Sequence, residues 1–497
     1  MLRDSMNQHY FAADSAPTSA RNPLPASPLH PVPERSTTAT IGAILLAVFF
    51  LSTGSALQGT AVVLRSGIEG FSEPVIGITM AAFYLGFLAG LLVSPFVLTA
   101  GGYGRTFAGF ASIASAGALA HLLIMNPTAW ITLRFVHGYC IASMLVIAER
   151  WMVSATPRKS GAMVLGLYST MYIAAMGIGQ PLLGVFGSGG FRLFLIVSIL
   201  TSLSLVPLTV IRGNGVLNLP LPSTRLKRAF LVSPVSSIGL MAAGFLSSSI
   251  WSLGPRYGRA IGLETMETGL FMAAIAVGAV LSLGVLSVVR GRWTGRTPIA
   301  LLMSIGTIAS LVLLVGASFD FPVYFSLALV SGACIMPLYS LSVARAREQI
   351  GTRALVSTAG TFVIFFSFGA IFGPLVSSLA MAAFGPGGLF GTIVLVQASV
   401  LAAVVRGTVQ FPVPADGTSA CFQPYPPTTH TVFSLIEPTS ASAPADRHKG
   451  EPDEGSSDSP ELGTPDSSPG LQSGNAPNTP YGSHLHLHGL PERRLRA

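Results

Sequence analysis

Half of the 497 residues are hydrophobic, a tenth are charged and mean hydropathy is +0.63, a balance that excludes an ordinary soluble domain. The formal charge of +8 does not point to nucleic acid, because the basic residues are scattered through short loops rather than gathered on one face. Cys140, Cys334 and Cys421 have neither CxxC nor metal-ligand spacing.

Residues 1–40 hold Pro17, Pro23, Pro25, Pro28, Pro31 and Pro33 among Ser, Thr and Ala. They read as a disordered cytoplasmic tail without the apolar core of a cleavable signal peptide. From Ile41 the composition changes. A spanning helix needs about 20 apolar residues, and that criterion predicts twelve, near 41–63, 74–98, 105–124, 128–149, 161–185, 191–211, 231–254, 266–289, 298–317, 321–345, 354–383 and 388–409. The fold class expected is all-α and integral to the membrane. With the amino terminus inside, fourteen basic residues lie in the inner loops, from Arg105 to Arg353, against Arg65, Arg192, Arg256 and Arg259 outside. The excess assigns both termini to the cytoplasm. Residues 410–497 contain fourteen prolines and no apolar period, so a second disordered tail is expected. Its alternating histidines, His484, His486 and His488, are read as coincidence in a low-complexity segment rather than a metal site.

The chain repeats itself. Gly77/Gly269, Met80/Met272, Ala81/Ala273, Ala82/Ala274 and Gly86/Gly278 share an offset of 192. Gly138/Gly332, Cys140/Cys334, Ile141/Ile335 and Gly179/Gly373 share one of 194. Near-equal offsets on corresponding helices predict a duplicated six-helix unit. The bundles are placed at 41–211 and 231–409, joined by a cytoplasmic loop at 212–230.

Only seven of the 20 acidic residues, Glu69, Glu73, Glu149, Glu264, Glu267, Asp320 and Glu348, fall between positions 41 and 409. Few carboxylates could therefore relay a proton. Arg134 stands inside the fourth helix, about 10 Å from its start at 1.5 Å per residue, on one face with Gly138, Ile141, Leu145 and Glu149. A guanidinium there is either a cavity group, attracting an anion or coupling protons, or an arginine paired to helix ends. His137 either shuttles protons or bonds a neighbouring backbone group. Glu149, with Arg150, is expected to close that helix, about 22 Å from Arg134. It is read as a cytoplasmic latch to Arg105 or Lys159, with proton carrier and idle surface charge as the other readings. Gly177, Gly179, Pro181 and Gly184, with Gly369, Gly373 and Pro374, either bend their helices or let neighbours pack closely. Gln58, Tyr84, Tyr168, Tyr172, Trp251 and Tyr339 are polar-tipped or aromatic groups that line a solute path or anchor at the interface. GxxxxGK[ST], HExxH and GxSxG are absent. Neither an enzyme nor a cofactor is expected, and a gradient is left as the energy source.

Several stretches resemble the major facilitator superfamily, and more narrowly its bacterial YcaD-like branch. They are Gln58–Thr60, LRFVHGYCIA at 133–142, AERW at 148–151, GQPLLG at 179–184, PLYSLSVARA at 337–346 and GPL at 373–375. The resemblance implies two six-helix bundles that alternate access across the bacterial inner membrane. Arg134-x-x-x-Gly138 is similar to that superfamily's helix 4 motif, which implies a role for Arg134 in proton coupling. The 2–3 loop keeps Gly104 and Arg105 but lacks the usual Asp, and Gly179-Gln180 stands where antiporters have Gly-Pro. The expectation is a proton-coupled secondary transporter, probed at a site between helices 1, 4, 7 and 10, monomeric, in the lipid bilayer, carrying a small molecule and no nucleic acid. A membrane sensor or scaffold working through its tails, and an uncoupled uniporter, are the alternatives.

Overall fold

Each of the twelve apolar stretches folds into helix in the computed structural model, which describes residues 34–187, 190–211, 234–288, 297–316, 319–406 and 424–425. The spans are α1 (Thr38–Ile68), α2 (Glu73–Leu98), α3 (Tyr103–Leu123), α4 (Pro127–Ala155), α5 (Gly161–Phe186) and α6 (Arg192–Thr209) in the first half. The second half has α7 (Ser236–Ala260), α8 (Thr265–Val288), α9 (Thr297–Val315), α10 (Phe321–Arg347), α11 (Gly360–Phe384) and α12 (Gly388–Arg406). Large apolar side chains such as Phe96, Ile308 and Leu395 are exposed on the helices. On twelve spans this surface is what lipid would cover, and the chain is a multi-pass membrane protein. An even number of spans puts the start of α1 and the end of α12 at one end, called here the near end; the turn between α1 and α2 lies at the far end.

Observed and expected bounds differ most at α4, α7 and α11. Helix α4 runs on to Ala155, so Glu149 and Arg150 lie inside it rather than closing it. No Gly or Pro interrupts 149–155, and Pro157 is the first residue unable to continue the helix. Helix also begins at Glu34, directly after Pro33, where a disordered lead-in to residue 40 was expected. The connection between α10 and α11 is itself helical, giving a 48-residue run Pro337–Phe384. The break falls instead at Met336, ahead of Pro337, which has no N–H to donate to the preceding turn. The loop at 212–230 and the tails at 1–33, 407–423 and 426–497, with the His484–His488 cluster, lie outside the described residues.

The sequence repeat has a geometric counterpart. A Cβ on Gly86 would collide with the Phe135 carbonyl, and one on Gly138 with the Phe83 carbonyl, so α2 and α4 touch backbone to backbone. In the second half Gly278 meets the Leu329 carbonyl and Gly332 that of Ile275, which brings α8 onto α10 in the same way. Phe83/Ile275 and Phe135/Leu329 stand at the offsets of the glycines they face. Small residues let apolar helices approach where lipid gives no hydrophobic drive to association.

The halves touch toward both ends: Leu91, Ala142 and Val146 of the first half pack on Val363 of α11 toward the near end, and the polar and glycine contacts lie toward the far end. Gly77 of α2 leaves room for Ser378 of α11, and Gly269 of α8 for the Gln180 carbonyl of α5. Glu73 of α2 and Arg256 of α7 form an ion pair, with Nε and Nη2 each 2.8 Å from Oε1. Helix α5 is interrupted beside this contact, one helix ending at Ile178 and another starting at Leu182. Pro181 lacks the N–H that would bridge the gap. Beside the break the Ala175 carbonyl accepts from Thr53 Oγ1 at 3.1 Å, and the Gln180 side chain accepts from Thr60 Oγ1 at 2.8 Å.

Candidate functional site

A cavity of about 130 Å³ lies between the halves, in a measure by which one water needs roughly 10–15 Å³. It holds a small solute or several waters. All four helices expected around it, α1, α4, α7 and α10, contribute side chains, and so do α2, α5, α8 and α11. The walls are mostly apolar and aromatic, with few polar groups converging, the usual pattern of a small-molecule site.

The one formal charge among these lining residues is Arg134. Asn126 starts α4 by accepting from the Thr128 and Ala129 N–H groups, with Pro127 in the first turn. Trp130, fully buried, locks that turn by donating Nε1–H to the Ile124 carbonyl at 2.7 Å. One turn further Arg134 is 2% exposed. Its guanidinium sits over the Phe83 ring at 4.6 Å. Nε and Nη1 have no hydrogen-bond partner. Gly59 of α1 faces it, and a Cβ there would stand 3.9 Å from Nη2, an ordinary contact. A charged side chain at the centre of a spanning helix costs about 2.5–3.5 kcal/mol on insertion scales. A cation–π contact recovers only about 0.5–2 kcal/mol. Arg134 is therefore a desolvated positive charge on the cavity wall, with Nε and Nη1 buried and unbonded.

Repeat symmetry sharpens the point. At the offsets that superpose the glycine contacts, Arg134 corresponds to Ala328, Tyr84 to Ala276 and His137 to Ser331. The two halves share their packing, but the charge belongs to the first half alone. The hydroxyl lining is shared: Ser55 of α1 and Ser247 of α7 are repeat-related, and both face the cavity.

Tyr84, Trp251 and Tyr339 line the cavity with Arg134, as does Tyr172. Gln58 and His137 are buried but outside its lining. Neither Gln58 side-chain atom nor either His137 ring nitrogen has a hydrogen-bond partner. The His137 ring packs on the Phe83 face, with centroids 5.8 Å apart. Tyr168 is elsewhere: its hydroxyl donates to Glu149 Oε1 at 2.6 Å.

Glu149 is fully buried, whereas Arg105 and Lys159 are exposed side chains. The expected ion pair of Glu149 with either is not formed in this conformation. The carboxylate turns into the bundle toward Tyr168, because six further helical residues separate it from the helix end. Of the glycines and prolines expected to bend helices, Gly179 and Pro181 stand in the break of α5. Gly177 packs on Ala276 and Gly184 on Met266. In α11 the helix passes through Pro374 unbroken, and Gly369 and Gly373 fit against the α7 backbone at Met241 and Phe245.

One contributor was invisible in the sequence. Pro424 and Tyr425, from the tail read as disordered, enter the bundle, and Tyr425 lines the cavity at 3% exposure. Burial raises the Tyr425 phenol above its ordinary pKa, and the nearby Arg347 guanidinium offsets part of that rise.

The profile of the Major Facilitator Superfamily matches residues 44–374. The "Uncharacterized MFS-type transporter YcaD" of Shigella flexneri serotype 5b (strain 8401) is 24% identical over 377 residues, covering 75% of this chain and 96% of the relative. Its counterpart in Escherichia coli O17:K52:H18 (strain UMN026 / ExPEC) is 25% identical over the same length and coverage. Among solved structures, the nucleoside transporter NupG superposes with a TM-score of 0.64 at 11% identity, covering 74% of this chain and 98% of that one.

Proposed function

We propose that this chain, which belongs to the Major Facilitator Superfamily, is a secondary transporter carrying a small organic anion by alternating access. The observation that carries the reading is the buried Arg134 guanidinium, with Nε and Nη1 unbonded, on the wall of a mostly apolar cavity between two pseudo-equivalent halves. A carboxylate entering there gains charge-assisted hydrogen bonds from a desolvated, planar donor fork. An amide of the same shape forgoes the charge, and an amine meets repulsion. The aromatic wall of Phe83, Tyr84, Tyr172 and Trp251 suits an apolar or aromatic body on the same solute.

The mechanism follows from the two sets of contacts. The far end is held by Glu73–Arg256 and by glycine-mediated packing of α2 on α11 and α5 on α8. Opening it means parting these contacts as the halves rock. The loop-charge bias supports taking the near end as cytoplasmic, and the bacterial relatives support taking the membrane as the inner one. Glu149, fully buried in α4, is the group we assign to carry the coupling proton. Tyr168 holds its carboxylate in place.

The test is ligand-induced thermal stabilisation of the purified full-length protein. The probes are benzoate, nicotinate, phenylacetate and lactate, each against its own amide. Ligand at 100 times Kd stabilises by about 2.7 kcal/mol, well above detection. Shifts confined to acids, and lost in Arg134→Ala, are expected. Equal shifts with the amides, or an unchanged acid response in Arg134→Ala, would refute the reading.

A further inference from the structure

Two tail residues bridge the halves at the near side of the cavity. The Pro424 carbonyl accepts from Ser169 Oγ of α5 at 3.0 Å. The Tyr425 N–H donates to Ser340 Oγ of α10 at 2.9 Å, and its carbonyl stands 3.1 Å from the same hydroxyl as acceptor. The Pro424 ring lies 3.8 Å from where a Cβ on Gly166 would be. Both serines are buried, at 1% exposure each, and the Tyr425 ring closes one side of the cavity that Arg134 faces. The backbone of a dipeptide is thus hydrogen-bonded to both bundles at once, in register with a socket of two serines and a glycine.

Sequence and tether favour occupancy. Gln423-Pro424-Tyr425-Pro426-Pro427 has three prolines in five residues, which restricts the unbound chain and lowers the entropy cost of ordering it. Seventeen residues separate Arg406 at the end of α12 from Pro424. A segment carried on the same chain as its socket binds without the cost of bringing two molecules together.

We propose that the near-end mouth is a peptide-binding site for a Pro-Tyr segment, occupied in cis by Pro424–Tyr425, which closes the cavity and clamps the two halves until it is withdrawn. Every opening of the near end breaks the Ser169 bond or the Ser340 pair, because they lie on opposite halves. The segment is then a brake on alternating access. That consequence rests on the transport reading; the closure itself does not.

Closure is therefore measured without any solute. In the full-length protein with Cys140, Cys334 and Cys421 replaced by alanine, Ser367→Cys places one thiol on the cavity wall, and its labelling by a charged, bulky maleimide is timed in detergent micelles. Tyr425→Ala is expected to speed labelling at least about fivefold, and Tyr425→Phe, which keeps ring and backbone bonds, to leave it slow. The double variant Ser169→Ala/Ser340→Ala, which cuts the tethers and spares the tail, should speed it as well. Equal rates in the parent, in Tyr425→Ala and in the double serine variant, whether all fast or all slow, would overturn the proposal. Organic-anion binding can fail its own test without altering these rates.

Discussion

Replacing Glu73 with Gln perturbs the far-end closure at one contact while keeping the side chain's shape. Glu73 Oε1 receives both Nε and Nη2 of Arg256 at 2.8 Å. Hydrogen bonds to charged groups contribute about 1.5–3 kcal/mol when well shielded. Here the side chains are 21% and 32% exposed, and Oε2 is buried with no hydrogen-bond partner, so solvent screening and an unmet acceptor both reduce the gain. Exposed pairs measure about 0.2–1 kcal/mol, and a value of about 1 kcal/mol for this one follows. Because the pair joins α2 to α7, its loss acts on the equilibrium between closed and open far ends, by about fivefold in population. Spin labels at Leu123 and Phe384, exposed at the far ends of α3 and α11, would read that equilibrium as a distance distribution. Glu73→Gln should enrich the longer distance about fivefold, and the swap Glu73→Arg/Arg256→Glu should restore the parent distribution. A Glu73→Gln distribution identical to the parent would refute the gating role.

Gly138→Ala should lower the melting temperature in detergent markedly, since its Cβ would strike the Phe83 carbonyl, and overpacking costs about 1–3 kcal/mol; Gly104→Ala, with nothing within 4 Å of its Cβ, should not. Glu149→Gln keeps an acceptor for the Tyr168 hydroxyl and removes the titration. It should leave acid-induced stabilisation intact and abolish the pH-gradient dependence of uptake in proteoliposomes; gradient dependence that survives would end its assignment as proton carrier. Arg134→Lys keeps the charge but not the fork, so its stabilisation by benzoate should fall between those of the parent and Arg134→Ala.

The helices were legible because twenty apolar residues in a row have few other uses, and the repeat because glycine cannot be exchanged where two backbones touch. Gly86 and Gly278 are matched in sequence for the same reason that both are matched in contact. Arg134 was legible as a charge in an apolar run. The serines of the cavity were not: Ser55 and Ser247 differ from lipid-facing serines only in helical phase, which packing decides. Glu149 was misplaced at a helix end because the apolar run weakens there, while the backbone had no reason to stop before Pro157. Pro337 carried a readable signal for the break in α10, and it was passed over within a long apolar stretch. The Pro424–Tyr425 segment could not be found from composition. Two residues in a proline-rich tail have no period, and their socket exists only once α5 and α10 face each other across the near side of the cavity.

The central claim is that Arg134 holds a transported anion, and it is tested most directly by uptake into proteoliposomes under an imposed pH gradient. The radiolabelled probe is whichever of benzoate, nicotinate, phenylacetate or lactate stabilises the protein, with passive entry into protein-free liposomes subtracted. The full-length protein should accumulate that acid above the protein-free level, and Arg134→Ala, inserted to the same amount, should not. Equal accumulation by the two proteins would contradict the account.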